Sequence, residues 1–114
     1  MTETLSDEDR KLVVLARGAL ARAESPSGAA VRDGDGRTYA GADVRTRSLT
    51  LTGLQVAVAS AISSGARSFE AAVVVNGDAG DPGLDTLHEL SPEAYAVLTD
   101  TAGRPQQRLG RADA

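Results

Sequence analysis

Apolar positions recur at helical spacing near the start of the chain. Leu12, Leu15, Ala16, Ala19, Leu20 and Ala23 fall on one stripe, which predicts an amphipathic helix over about Asp7 to Ala23. Ser6 and Asp9 stand as a capping box with Asp in place of Glu. Asp7, Glu8 and Asp9 suit a first helical turn, where carboxylates meet the positive end of the helix dipole. Ser25-Pro26-Ser27-Gly28 then breaks the period. Ala29-Ala30-Val31 opens a strand, Asp33-Gly34-Asp35-Gly36 is a hairpin turn signal, and Arg37 to Val44 returns as a second strand. The Asp-Gly run is too short for an EF-hand loop and lacks the distal glutamate, so it reads as a turn.

From Ser48 to Ala66 no residue is charged. Leu51, Leu54, Val58, Ala61 and Ile62 line one helical face, and Thr52, Val56, Ala59 and Ser63 a second, small one. Ser48 and Thr50 are candidate caps for a helix over about Leu49 to Ser64, ended by Gly65. A helix uncharged on every face is buried all round, and in a chain this short the second face implies another subunit. Nine residues of the stretch are Ser, Thr, Gly or Gln, too polar for a bilayer interior. Phe69 to Val75 is a β-branched run expected as a central buried strand. Asn76 to Gly83 reads as a loop, Asp85 to Leu90 as a short helix and Tyr95 to Thr99 as a strand. The order α-β-β-α-β-α-β predicts an α/β sheet flanked by helices.

Composition narrows the chemistry. The 114 residues suit one domain, taken as 1–105, followed by a polar tail at 106–114 that carries Arg108 and Arg111. Only Tyr39, Phe69 and Tyr95 are aromatic, so the core is built from Ala, Val and Leu. No cysteine is present, which excludes disulfides and thiolate metal sites. His88 is the only histidine. A net charge of −4 disfavours nucleic acid as a partner. The acidic N-terminus has no apolar signal core, which reads as cytoplasmic.

Several stretches together resemble the cytidine deaminase family. GAAVRDGDGRTYAGADV (Gly28 to Val44) is similar to that family's first hairpin, with its GAA start, Asp-Gly turn and Gly-x-Asn-Val end. LTLTGLQVAV (Leu49 to Val58) is similar to its LTxCAERxAI, FEAAVVV to its third strand, and LHELSPEAYAVLTDTAGRP (Leu87 to Pro105) to the segment after its second metal motif. The resemblance covers about Leu12 to Pro105 and implies a three-layer α-β-α sandwich with a mixed central sheet. It also implies a homodimer or homotetramer, here through the central helix.

The family's chemistry rests on zinc held by three protein ligands and on a glutamate that moves protons. The resemblance places the first ligand at Thr52, the glutamate at Leu54 and the other two ligands at Gly80 and Gly83. None of these side chains suits the role, so the resemblance with these replacements implies no metal and no cofactor, and argues against an enzyme. Leu54 is expected to be buried against the loop from Gly80 to Gly83. The ribose-holding Asn-Val-Glu becomes Asp43-Val44-Arg45, and the family's aromatic before GAA is replaced by Pro26 and Ser27. Asp43 and Arg45 are candidate ligand-binding residues or a simple ion pair, and cytidine itself is expected to bind weakly.

Asp78, Asp81, Asp85, His88 and Glu89 offer a remote metal alternative, with Asp85 and His88 three residues apart on a helix, against a plain solvated acidic loop. Ser60 and Thr52 have no evident base to activate them as nucleophiles. The leading expectation is a non-catalytic, oligomeric regulatory or scaffold protein. The alternative is a binding protein for a nucleoside-like ligand, and a third reading is an active deaminase.

Overall fold

The computed structural model describes residues 5–110. Helix α1 (Asp7–Ala23) leads into strands β1 (Gly28–Asp33) and β2 (Thr38–Ala42). A short ribbon of β3 (Val44–Arg45) and β4 (Thr50–Leu51) precedes helix α2 (Gly53–Ser63). Then follow β5 (Phe69–Val75), α3 (Pro82–Leu90), β6 (Tyr95–Thr99) and β7 (Pro105–Gly110). Five strands form one sheet in the order β2-β1-β5-β6-β7. Only β5 and β6 pair in parallel, and α3 supplies the crossover that parallel pairing requires.

The expected α-β-α sandwich is present. The run FEAAVVV is buried on both faces because strand side chains alternate. Ala71, Val73 and Val75 pack with Leu12 and Ala16 of α1, and Ala72 and Val74 with Leu54, Val58 and Leu87 of α2 and α3. The β1–β2 turn is held by Asp33, whose Oδ1 accepts the amides of Asp35 and Arg37, both at 2.9 Å, while the Tyr39 hydroxyl donates to Oδ2 at 3.1 Å. Among the described residues no helix is long and apolar enough to cross a membrane.

Three boundaries differ from the sequence expectations. Helix α2 begins at Gly53, not Leu49, because Thr52 rather than Ser48 or Thr50 is its N-cap. Its hydroxyl accepts the Gln55 amide and the Gln55 carboxamide accepts the Thr52 amide, both at 3.0 Å, a reciprocal capping box. Thr50 and Leu51 are thereby released to pair with Arg45 and Val44. Helix α3 begins at Pro82, not Asp85, with Asp81 as N-cap and proline in the first turn, where a missing amide proton costs nothing. The expected polar tail is a strand as far as Gly110: β7 pairs antiparallel with β6 along the sheet edge. Its polarity is that of an edge strand whose outer side faces water, and Arg108 lies over the Tyr95 ring at 4.1 Å. Arg111 and the remainder of that tail lie outside the described residues.

A buried ionic cluster also departs from the pattern. Asp9, read as part of an acidic first turn, is 3% exposed. It accepts from the Tyr95 hydroxyl at 2.8 and 2.9 Å and from Arg32 Nη2 at 3.1 Å. Arg32 Nε reaches Glu70 at 2.9 Å. These bonds tie α1 to three strands of the sheet.

Candidate functional site

Where β1 starts and β2 ends, the N-termini of α2 and α3 also arrive. Asp43, between β2 and β3, organises one side of this junction. Its carboxylate accepts the Ser27 hydroxyl at 2.8 and 3.0 Å and the Gly53 amide at 2.8 Å. Ser25 Oγ accepts the Asp43 amide at 3.2 Å and donates to the Ser27 carbonyl at 2.8 Å. Asn76, at the end of β5 with φ +59°, donates from Nδ2 to the Pro26 carbonyl at 2.8 Å. The segment Ser25–Ser27 is thus fixed from both sides. Close approach is needed here: a Cβ at Gly53 would lie 3.0 Å from the Gly41 carbonyl oxygen and 3.2 Å from Ala42 Cα.

A cavity of about 310 Å³ opens beside this junction, lined by Ala23, Glu24, Ser25, Pro26, Asp43 and Arg45. The two residues singled out from the sequence, Asp43 and Arg45, therefore share one cavity. Among the described residues no ion pair joins them. Asp43 is half-buried and already holds α2, whereas Arg45 is exposed. A carboxylate acceptor and a guanidinium donor facing one hollow suit a polar ligand with hydroxyl and carbonyl groups.

On the other side of the junction, the Thr52 hydroxyl donates to Asp81 Oδ1 at 2.8 Å, and the Gly83 amide donates to the same oxygen at 2.8 Å. Leu54 is fully buried. It fills the space in front of Gly83, where a Cβ would come within 2.7 Å of Leu54 Cγ and 2.9 Å of its Cβ. Thr52, Leu54 and Gly83 are thus brought together, with Asp81 added. Gly80 is exposed on the loop, and a Cβ there would meet only Asp78 Oδ2, at 3.3 Å.

Zinc does not fit these residues. A catalytic zinc takes three protein ligands from Cys, His and carboxylates. This side of the junction offers one carboxylate and a neutral hydroxyl that are already bonded to each other, and glycine supplies no donor. The remote metal alternative does not assemble either. His88 Nε2 lies 3.0 Å from the Ala94 carbonyl and donates to it, Asp85 is exposed, and Asp81 is held by Thr52. No three His, Cys, Asp or Glu side chains converge for a metal among the described residues.

Sequence reasoning gave Asp81 no role beyond the acidic loop and its remote metal alternative, and gave Ser25, Ser27 and Asn76 no bonding role. The Asp81-Pro82 pair carried a legible helix-start signal. The Ser25 and Asn76 bonds run between distant segments and had no local signature.

The cytidine deaminase-like family model matches residues 5–103. The chain belongs to the cytidine deaminase-like family. Among solved structures, a cytidine deaminase from Burkholderia pseudomallei is 24% identical with a TM-score of 0.75, covering 96% of this chain and 95% of its own. Cytidine deaminases from Mycobacterium tuberculosis and Mycobacterium leprae are 22% and 24% identical, with TM-scores of 0.68 and 0.65. Each covers 90% of this chain, with 91% and 93% of their own length. No curated protein matches the sequence.

These likenesses establish the fold and correct the leading functional expectation. A regulatory or scaffold protein is not what the comparisons support: a family match spanning nearly the whole chain, with cytidine deaminases superposing end to end, directs attention to the small-molecule site. Of the remaining readings the neighbours point to the deaminase one, and a nucleoside-like ligand is common to both.

Proposed function

We propose that the chain binds a nucleoside-class small molecule at the junction of β1, β2 and α2. The observation that carries this reading is the cavity of about 310 Å³ that holds both Asp43 and Arg45, at the low end of the volumes typical of small-molecule sites. The resemblance of Asp43-Val44-Arg45 to the family's ribose-holding motif supports the same location. Asp43 accepts from a sugar hydroxyl, and Arg45 donates to a second hydroxyl or to a base carbonyl. Thr52, Leu54, Gly80 and Gly83 stand, in this reading, at the family's metal and proton-transfer positions. Leu54, fully buried against Gly83, fills that end of the site, so the ligand is held from the sugar side.

The homo-oligomer belongs to the same proposal. Leu51, Gln55, Val58, Ala59, Ile62 and Thr86 line a shallow groove of about 200 Å³ along α2. Ile62 is 40% exposed there, an apolar side chain suited to a second copy. A cytoplasmic setting accords with the cysteine-free composition.

A panel of pyrimidine and purine nucleosides tests the ligand class by thermal shift, with free ribose and free bases as comparators. Stabilisation by nucleosides and not by bases alone is expected. Deamination, the activity named for the solved neighbours, is read in the same panel from ammonia release. Indifference to every nucleoside would overturn the reading.

A further inference from the structure

The junction of α2 and α3 carries a second inference, independent of the ligand. We infer that this junction is a metal-independent staple, closed by the Thr52–Asp81 hydrogen bond and by the seating of Leu54 against Gly83.

The parts interlock. Thr52 and Asp81 are the N-caps of the two helices. Each uses its side chain twice, once for its own helix and once for the other residue. Thr52 Oγ1 accepts the Gln55 amide at 3.0 Å while donating to Asp81 Oδ1 at 2.8 Å. Asp81 Oδ1 accepts the Gly83 amide at 2.8 Å as well. A carboxylate at the head of α3 and beside the head of α2 lies where both helix dipoles favour negative charge. An acceptor shared by a hydroxyl and an amide is well satisfied without a cation.

Behind the polar pair, Leu54 occupies the volume that any side chain at position 83 would need, its Cγ 2.7 Å from where a Cβ would lie. Metal coordination at this point requires deprotonating Thr52 or breaking its bond to Asp81, and still yields one carboxylate where three ligands are needed. The replaced positions are therefore complementary to one another: hydroxyl to carboxylate, leucine to glycine. Each half removes the vacancy that a metal would fill.

The test is thermal unfolding of the full, untagged chain, with and without EDTA and with one equivalent of zinc. The staple requires a Tm unchanged by either addition. Thr52→Val and Asp81→Ala should each lower Tm by about 4–8 °C, the shift that about 1 kcal/mol produces in a domain near this size. The double variant should fall short of the sum, because the two substitutions remove one shared bond. Thr52→Ser, which keeps the hydroxyl, should stay near the parent. If Asp81→Ala does not fold, Asp81→Asn replaces it: its amide oxygen still accepts from Thr52 and Gly83, and its Tm should lie close to the parent. A Tm lowered by EDTA or raised by equimolar zinc, or strictly additive variants, would overturn the staple.

Discussion

Arg32 of β1 reaches Asp9 of α1 at 3.1 Å with both side chains almost wholly buried, at 7% and 5% exposure. Among the described residues the pair is the one ion pair that joins a helix to the sheet. Tyr95 and Glu70 complete it from β6 and β5. Removing Asp9 leaves the buried Arg32 with only the exposed Glu70 as carboxylate partner, which costs up to about 3–5 kcal/mol. Asp9→Ala should therefore destabilise the fold by about that amount in urea unfolding. A loss below about 1 kcal/mol, the range of an exposed ion pair, would show that the cluster is hydrated.

Leu54 and Gly83 are matched in size. Gly83→Ala should cost about 1–3 kcal/mol by overpacking. Leu54→Ala should cost about 2–5 kcal/mol through the cavity it leaves. Because Leu54→Ala removes the contact at 2.7 Å while the one to its Cβ at 2.9 Å stays, the double variant should recover part of the overpacking cost and be more stable than the sum of the single losses predicts. A denaturation cycle checks this, and simple additivity would mean that the two sites do not share volume.

Alkaline titration probes Tyr95. Burial pushes its pKa above 10.0, and the hydrogen bond to Asp9 and the charge of Asp9 push it further. Since the unfolded tyrosine loses its proton first, stability is fully present below pH 10 and declines as pH rises through the folded value. Tyrosinate absorbance should show a phenol titrating above 10, and unfolding midpoints should fall over the same window. A tyrosine titrating at the ordinary value with no loss of midpoint would contradict this environment.

The assembly proposed through α2 is checked by light scattering. Ala59 is exposed on that helix beside Ile62. Ala59→Arg should split the oligomer and leave the monomer folded, because the substitution buries a charge only in the assembled state. An unaltered oligomer would move the interface elsewhere.

Local signals carried most of the fold. The heptad-like stripe of α1, the Asp-Gly turn and the FEAAVVV run each encode one element through short-range periodicity, and all three are present. Strand β7 was illegible because PQQRLG alternates weakly and has only Leu109 to bury. Asp9 and Arg32 were illegible as a buried pair because their partner lies in another layer, and charged residues are rarely buried without one. Asp43 and Arg45 were singled out through the family resemblance, and they share one cavity. The Thr52–Asp81 bond joins positions 29 apart, and no local pattern marks it.

The most direct measurement is titration calorimetry of the parent chain and Arg45→Ala against pyrimidine and purine nucleosides. Arg45 is exposed and makes no bond that holds the junction together among the described contacts, so its replacement should leave the fold intact. Saturable binding of at least one nucleoside is expected in the parent chain. Loss of a charged hydrogen bond worth about 1.5–3 kcal/mol should weaken it by about tenfold or more in Arg45→Ala. Absence of saturable heat for every nucleoside, or binding that Arg45→Ala leaves unchanged, would contradict a nucleoside site at Asp43 and Arg45.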